Sequence, residues 1–316
     1  MKASRLIVIS ACFLCCLFMS SCDVHEFPDP LKVYDYTLHL DYSTEMPLYT
    51  TVEYTESASR SSVESEEYDV RYIVKVYDKE TSSREVLYSF TFTKDDVSEL
   101  DNSVTVSIVE GEYRFVVWTD YVAQGSEADL YYATDRFEYV TFAGSSYVGC
   151  NDRRDAFTGS VTATVSEESL ESTVVMTRPM AKFNFITTDV EDFVSDDCVV
   201  VFKYNGFMPS AYNLHAGGNA DAMTGTSFES RISQLSGSEA EIGFDYVFVN
   251  DYETVVNVYL EIYDTTGKLL SRSGVVRIPL MRSKLTTVRS RFLTAPAAGG
   301  VVLVPDYDGE YNIVVQ

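Results

Sequence analysis

Chemistry on a protein chain needs nucleophiles, metal ligands or paired acids, and each type can be checked against the spacing it requires. Three histidines occur: His25, His39 and His215. None stands at i, i+4 or another ligand spacing from a second histidine, so they make no metal motif. There is no Gly-x-Ser-x-Gly elbow and no Gly-rich phosphate loop, which removes the common hydrolase and nucleotide signatures. The 48 acidic side chains are so numerous that any two could be named an acid–base pair, and a pair chosen without geometry means nothing. The segment DYDGEYN (306–312) places Asp306, Asp308 and Gly309 as in the start of a calcium loop. The remaining ligand positions are missing, and Asp-Gly is an ordinary turn. The sequence therefore predicts no catalytic residue, no metal, no nucleotide and no cofactor.

The clearest chemistry belongs to a thiol. The chain opens with Lys2 and Arg5, an apolar run from Leu6 to Met19, then Ser20, Ser21 and Cys22. A basic start, an apolar stretch short for a membrane span and a small-residue site make a secretory signal, residues 1–21. A cysteine at that site resembles a bacterial lipobox, which implies diacylation of Cys22, a lipidated tether over 22–32 and anchoring to the outer membrane at the cell surface. An ordinary signal that happens to hold a cysteine is the alternative. Cys12, Cys15 and Cys16 leave with the signal. Cys150 and Cys198 then remain, as one disulfide of an oxidising compartment or as two separate buried thiols.

Losing Lys2 and Arg5 takes the formal net charge from −24 to −26. Such a surface repels phosphate backbones, so nucleic acid is excluded as a partner. The chain is nevertheless no disordered polyanion. With 46% hydrophobic residues, 23 Tyr and 18 Phe, it can bury a sizeable core. The roughly 295 residues left after the signal exceed what one core usually holds.

The elements that must position everything else are strands. VYDYTLHLDY (33–42) alternates, with Tyr34, Tyr36, Leu38, Leu40 and Tyr42 on the apolar face, as a half-buried strand requires. YDVRYIVKVYD (68–78) sets Val70, Tyr72, Val74 and Val76 against Arg71 and Lys75. Further strands are predicted at 86–93, 103–110, 112–121, 136–142, 157–165 and 172–177. Glu110-Gly111 reads as a hairpin turn between two of them. After Arg178-Pro179 the series restarts at 181–189, 198–206, 242–250, 255–264 and 274–280, with one helical turn in 190–197 and a turn at 264–267. Two polar stretches, 55–67 and 215–227, read as solvated loops. Trp118 reads as a core or inter-sheet residue. The prediction is an all-β chain of two tandem β-sandwich domains: 33–178, then 179–293, with 294–316 as a terminal tail that completes the second domain or is donated to a partner.

Two stretches carry a resemblance. The junction VVMTRPMAKFNFITTD (174–189), with Arg178, Ala181 and Lys182, and the tail RIPLMRSKLTTVRSRFLTAP (277–296) followed by PDYDGEYNIVV (305–315) are similar to the fimbrillin-like surface lipoproteins of Bacteroidia-type bacteria. Ser290 stands where that group commonly has glycine. The resemblance implies two fimbrillin/transthyretin-like β-sandwiches, no enzymatic activity and partners that are other fimbrial subunits. It also implies assembly by strand exchange, in which a protease cuts after an arginine behind the first strand. Arg60, the one basic residue of 55–67, lies in the matching loop, either as that cleavage site or as a solvent-facing charge. VVLV (301–304) and YNIVV (311–315), behind the hinge-like TAPAAGG (294–300), are the donor candidate, docked either in trans or in cis. A glycan-binding surface lipoprotein of a carbohydrate-uptake system is the alternative function.

Overall fold

Period-two patterning without a sustained 3.6-residue period leaves strands as the elements able to hide the apolar side chains. The structure, a computed structural model, describes residues 31–42, 68–79, 84–94, 103–193, 197–233, 235–250 and 253–294, and the backbone of 301–304 and 310–315. Cys22 and Arg60, His25, the 55–67 stretch and the Asp306–Gly309 turn lie outside the described residues.

In chain order the first strands are β1 (Val33–Asp41), β2 (Tyr68–Asp78), β3 (Val86–Lys94), β4 (Ser103–Val109), β5 (Gly111–Ala123), β6 (Tyr132–Ala133), β7 (Val140–Phe142), β8 (Phe157–Val165) and β9 (Glu171–Val175). There follow β10 (Met180–Thr187), β11 (Cys198–Tyr204), β12 (Phe207–Asn213), β13 (Gly218–Thr224), β14 (Ser227–Ile232), β15 (Ala240–Phe248) and β16 (Thr254–Tyr263). The chain closes with β17 (Leu269–Arg272), β18 (Val276–Leu280), β19 (Leu285–Ser290), β20 (Val301–Val304) and β21 (Glu310–Val315).

Two β-sandwiches result. The first packs the sheet β3-β2-β5-β8 on the sheet β4-β1-β9. Tyr36, Leu38 and Leu40 of β1 point inward among Tyr72, Phe115 and Val117, the face that alternation assigns them. Tyr36 stacks on Phe115 at 5.3 Å between centroids. The second sandwich packs β15-β10-β19-β21-β20 on β14-β11-β16-β17, with β18 also on β16. Phe183, Phe185, Phe202, Leu260 and Val288 fill it.

A third apolar cluster takes residues from both sides of Arg178: Val116, Trp118 and Phe137 from one, Met180, Tyr212 and Phe248 from the other. A fifth sheet, antiparallel throughout, crosses the same line, joining β6 and β7 to β12 and β13. Residues Tyr34–Gln316 form one compact unit.

Several local expectations change. Arg71 and Lys75, set by alternation on the polar face of β2, are nevertheless buried, because that face carries the third cluster instead of water. Glu110-Gly111 is no hairpin: β4 and β5 belong to different sheets, so the turn is a corner between the layers. A Cβ on Gly111 would meet the end of the Tyr113 ring at 2.9 Å, so that ring would have to shift. The segment 215–227 is mostly ladder, with β13 paired to β12. The strand expected over 136–142 shrinks to β7, the residues before it forming a turn closed by Tyr139 N–H to Arg136 carbonyl. Strand β12 was hidden by its proline. Pro209 sits where the β12–β13 register shifts, a bulge that tolerates a residue without an amide proton.

Candidate functional site

The tail is the region whose sequence asks for a partner, and its root is fixed by one carboxylate. Strand β19, Leu285-Thr-Thr-Val-Arg-Ser, is rich in β-branched residues suited to a pleated, half-buried surface. Val288 is fully buried, and Thr286 Oγ1 donates to the Pro279 carbonyl at 2.8 Å. On one side β19 runs parallel to β10, from Lys182 opposite Leu285 to Thr187 opposite Ser290. On the other it runs parallel to β21, from Leu285 opposite Glu310 to Arg289 opposite Val314. Strand β20 then pairs antiparallel to β21 and ends the sheet. Its outer N–H and C=O groups have no ladder partner among the described strands, the condition that makes an edge receptive to another chain.

Just before the tail, Asp189 accepts hydrogen bonds from the Thr294 N–H at 2.8 Å, the Thr294 hydroxyl at 2.7 Å, the Leu293 N–H at 3.3 Å and the Thr187 hydroxyl. Burial pushes this carboxyl up, but the converging donors outweigh it and hold it below the usual carboxylate range. Thr294 is therefore clamped where the tail departs.

The junction behind it is closed by buried charge. Arg154 Nη1 pairs with Asp245 of β15, and also donates to the Val148 carbonyl at 2.7 Å. Asp245 accepts in addition from Tyr147 at 2.8 Å, Tyr204 at 2.7 Å and its neighbour's N–H, from Tyr246, at 2.8 Å. Arg178 grips Asp155 through Nε and Nη2 at 2.8 and 2.9 Å. On the third-cluster face of β2, Arg71 is bidentate to Asp120, at 2.9 and 2.7 Å, and reaches Asp129 at 2.8 Å. Lys75 donates to the carbonyls of Thr134 and Asp135 and lies 4.3 Å from the Phe137 ring centre.

The thiols and histidines stay apart. Cys150 and Cys198 form no disulfide with each other. Cys198 is buried and its thiol is pushed up to about 12 by that burial and by Asp197, which makes it inert. Cys150 Sγ accepts the Phe244 N–H at 3.4 Å. His39 lies on the exposed face of β1, 3.2 Å from Glu171. His215 meets Arg114 across the β12–β13 turn. Trp118 is fully buried with its ring edge-on to Tyr132, so it offers no sugar platform. Among the described residues no three His, Cys, Asp or Glu side chains gather as metal ligands, and no helix is long and apolar enough to cross a membrane.

Reading the sequence missed the Asp189 clamp and the Arg114–His215 contact. A signal existed for the second: Arg114, Val116, Trp118 and Asp120 share one face of β5, and charges interleaved with Val and Trp mark a face that is buried with partners. No sequence signal links Asp189 to Thr294.

Layered β-sheets with terminal strands added at a sheet edge define an all-β, multi-sandwich protein. The chain belongs to the family of unknown function DUF6562, whose profile matches residues 32–316. No curated protein matches it. Solved structures to which it is similar include a candidate adhesin of Bacteroides ovatus, 11% identical, with a TM-score of 0.46, covering 91% of this chain and 94% of the other. The fimbrial anchor protein Mfa2 of Porphyromonas gingivalis is 9% identical at TM-score 0.42, covering 76% and 82%. A fimbrial assembly protein of Parabacteroides distasonis is 9% identical at TM-score 0.40, covering 90% and 100%.

Proposed function

We propose that this chain is a non-catalytic cell-surface lipoprotein that serves as a structural or adhesive subunit, or as the anchor, of a fimbria-like assembly built by β-strand exchange. Cys22 carries the lipid that holds it to the outer membrane. Arg60 is the processing site, and residues 294–316 are the exchangeable element. The sandwiches 33–178 and 179–293 are the bodies that exchange connects.

One observation carries this reading. Among the described strands, β20 and β21 join the second sandwich through the pairing of β21 to β19, beyond a root fixed at Thr294 by Asp189. A ladder of backbone bonds is indifferent to which copy supplies it, and alternate side chains give it register. A strand held in this way in cis can be held in trans.

The test uses the Cys22→Ser chain with and without residues 294–316, its mass followed by light scattering before and after Arg-specific proteolysis. The expected outcome is oligomers from the cut, intact chain and monomers from the tail-less one. An intact chain that remains a protease-resistant monomer overturns strand exchange by this route.

A further inference from the structure

A sheet edge is a row of backbone donors and acceptors, and chains ordinarily blunt it with charge, proline or a covering element. Strands β14 and β17 follow that practice with Glu229, Arg231 and Arg272. In the first sandwich β8 is turned toward β9, where Thr158 and Thr177 exchange N–H to carbonyl bonds at 2.9 Å. The opposite ends of the same two sheets are β3 and β4. The Lys94 ammonium donates to the Ser103 carbonyl at 3.1 Å, tying the end of one to the start of the other. From Val86 to Thr93, and throughout β4, no residue is charged, in a chain where 23% are. Among the described strands neither Tyr88–Thr93 nor Val104–Ile108 has a second ladder partner.

The side chains point the same way. Tyr88, Phe90 and Phe92 stand opposite Val76, Val74 and Tyr72 of β2, on the core side of the sheet, yet they are only partly buried. This flank of the core therefore ends on three aromatic rings that the sandwich does not finish covering. The one irregularity of β3, at Leu87, lies before them, and Tyr88–Lys94 pair regularly with β2. The bulge thus leaves this stretch of edge straight enough to accept a strand.

We infer that the β3–β4 flank is an interface with a second copy of this chain, the two copies pairing β3 with β3 and β4 with β4 about a two-fold axis normal to the layers. Antiparallel pairing centred on Phe90 sets Tyr88 opposite Phe92 and Ser89 opposite Thr91. Centred on Val106, it sets Val104 opposite Ile108 and Thr105 opposite Ser107. Core-facing residues then meet core-facing residues in both sheets, as period two demands, and a one-residue slip would break the match. A second copy offers both edges at the same layer spacing, which an isologous contact requires. Charge selects the place: two bodies of net charge −24 repel, and this uncharged seam is where they can touch with least penalty. No residue of 294–316 takes part, so the contact is separate from strand exchange.

The seam supplies about half of the roughly 20 residues a side of a standard interface, so a reversible dimer with a Kd on the order of 100 µM is expected. Sedimentation equilibrium of the uncut Cys22→Ser chain, with and without 294–316, should show monomers near about 5 µM and dimers near about 500 µM. Raising salt from about 20 to about 300 mM should strengthen the dimer, because it screens the repulsion. Ser89 and Thr105 are exposed, so Ser89→Lys with Thr105→Lys should keep the dilute chain's melting temperature. The same pair should weaken the dimer at least about tenfold, since lysine is an edge-blocking residue. Both substitutions lower the net negative charge, so a lost dimer reports on the seam and not on overall repulsion. Amide exchange within 88–92 and 104–108 should slow with concentration in the wild type only. A chain that stays monomeric overturns the pairing and leaves the flank to a strand of another protein. A dimer that needs 294–316, or that the double variant keeps, overturns it as well. Protection of 88–92 and 104–108 that is already complete at about 5 µM overturns it too, and assigns the edge to a segment of the same chain.

Discussion

The junction and the tail are both held by a buried aspartate, and they use it in opposite ways. At the junction, Asp245 binds side chains: Arg154, Tyr147 and Tyr204, whose sequence separations from it range from 41 to 98 residues. At the tail, Asp189 binds chiefly main chain and hydroxyls at Leu293 and Thr294, and the strands beyond are added by backbone pairing. A lock made of specific side chains accepts one partner. A ladder made of peptide groups accepts any strand of suitable register. Under the proposed strand exchange, the difference separates what the molecule keeps closed from what it opens.

The largest way to break the comparison is at the junction. Arg154→Met leaves Asp245 buried without its cation, and the expected loss of stability is about 3–5 kcal/mol, read by urea denaturation. Adding Asp245→Asn to that variant should restore part of it, since the amide oxygen still accepts from the tyrosines and no buried charge is left without a cation. A single variant that loses less than about 1 kcal/mol would show that the tyrosines, not the ion pair, make the lock.

At the tail the expected effect is smaller but more local. Asp189→Ala strips the acceptor from two N–H groups and two hydroxyls, and about 2–3 kcal/mol is expected. Cleavage within 294–316 should accelerate in the same variant, while cleavage within 68–293 stays at the wild-type rate. Because the folded carboxyl lies below its ordinary range, its contribution is present above about pH 4 and is lost as pH falls through the folded value. Equal acceleration of cleavage everywhere would mean that Asp189 holds the whole sandwich rather than the root of the tail.

How much of this was legible in the sequence depends on whether the information is local. Alternation in 33–42 names the buried face of β1 correctly, with Tyr36, Leu38 and Leu40 inside. The Asp264-Thr-Thr-Gly turn is where it should be, Gly267 N–H bonding the Asp264 carbonyl at 3.0 Å with Gly267 at φ +85°. The tail is legible as β-rich runs behind a hinge composition. Burial of Arg71 and Lys75 was not legible from period two, because alternation distinguishes two faces without saying that a third layer covers the polar one. The corner at Glu110 has the composition of a hairpin, and only the sheet partners of β4 and β5 tell the two apart. The Asp189–Thr294 bond spans 105 residues, beyond any local pattern.

The finest test asks whether the Arg114–His215 contact belongs with the lock or with the open parts. Burial lowers the His215 affinity for protons, and Arg114 lowers it further, while Glu138 opposes them and Arg84 and Lys75 add to them. The unfolded chain therefore takes up a proton on His215 near the ordinary value of 6.5 while the folded chain resists. Wherever the unfolded state binds more protons, stability rises with pH. Stability is thus expected to fall as pH drops below about 6.5, because protonation destroys the Nδ1 acceptor and sets two cations side by side. Carboxylates elsewhere also titrate as the pH falls further, so the informative quantity is the difference between wild type and His215→Gln, whose amide oxygen still accepts from Arg114. Urea denaturation at pH 7 and at pH 5 should show the wild type losing more stability than the variant. Equal losses would mean that His215 turns out to solvent on protonation without cost, which places it with the parts of the molecule that open.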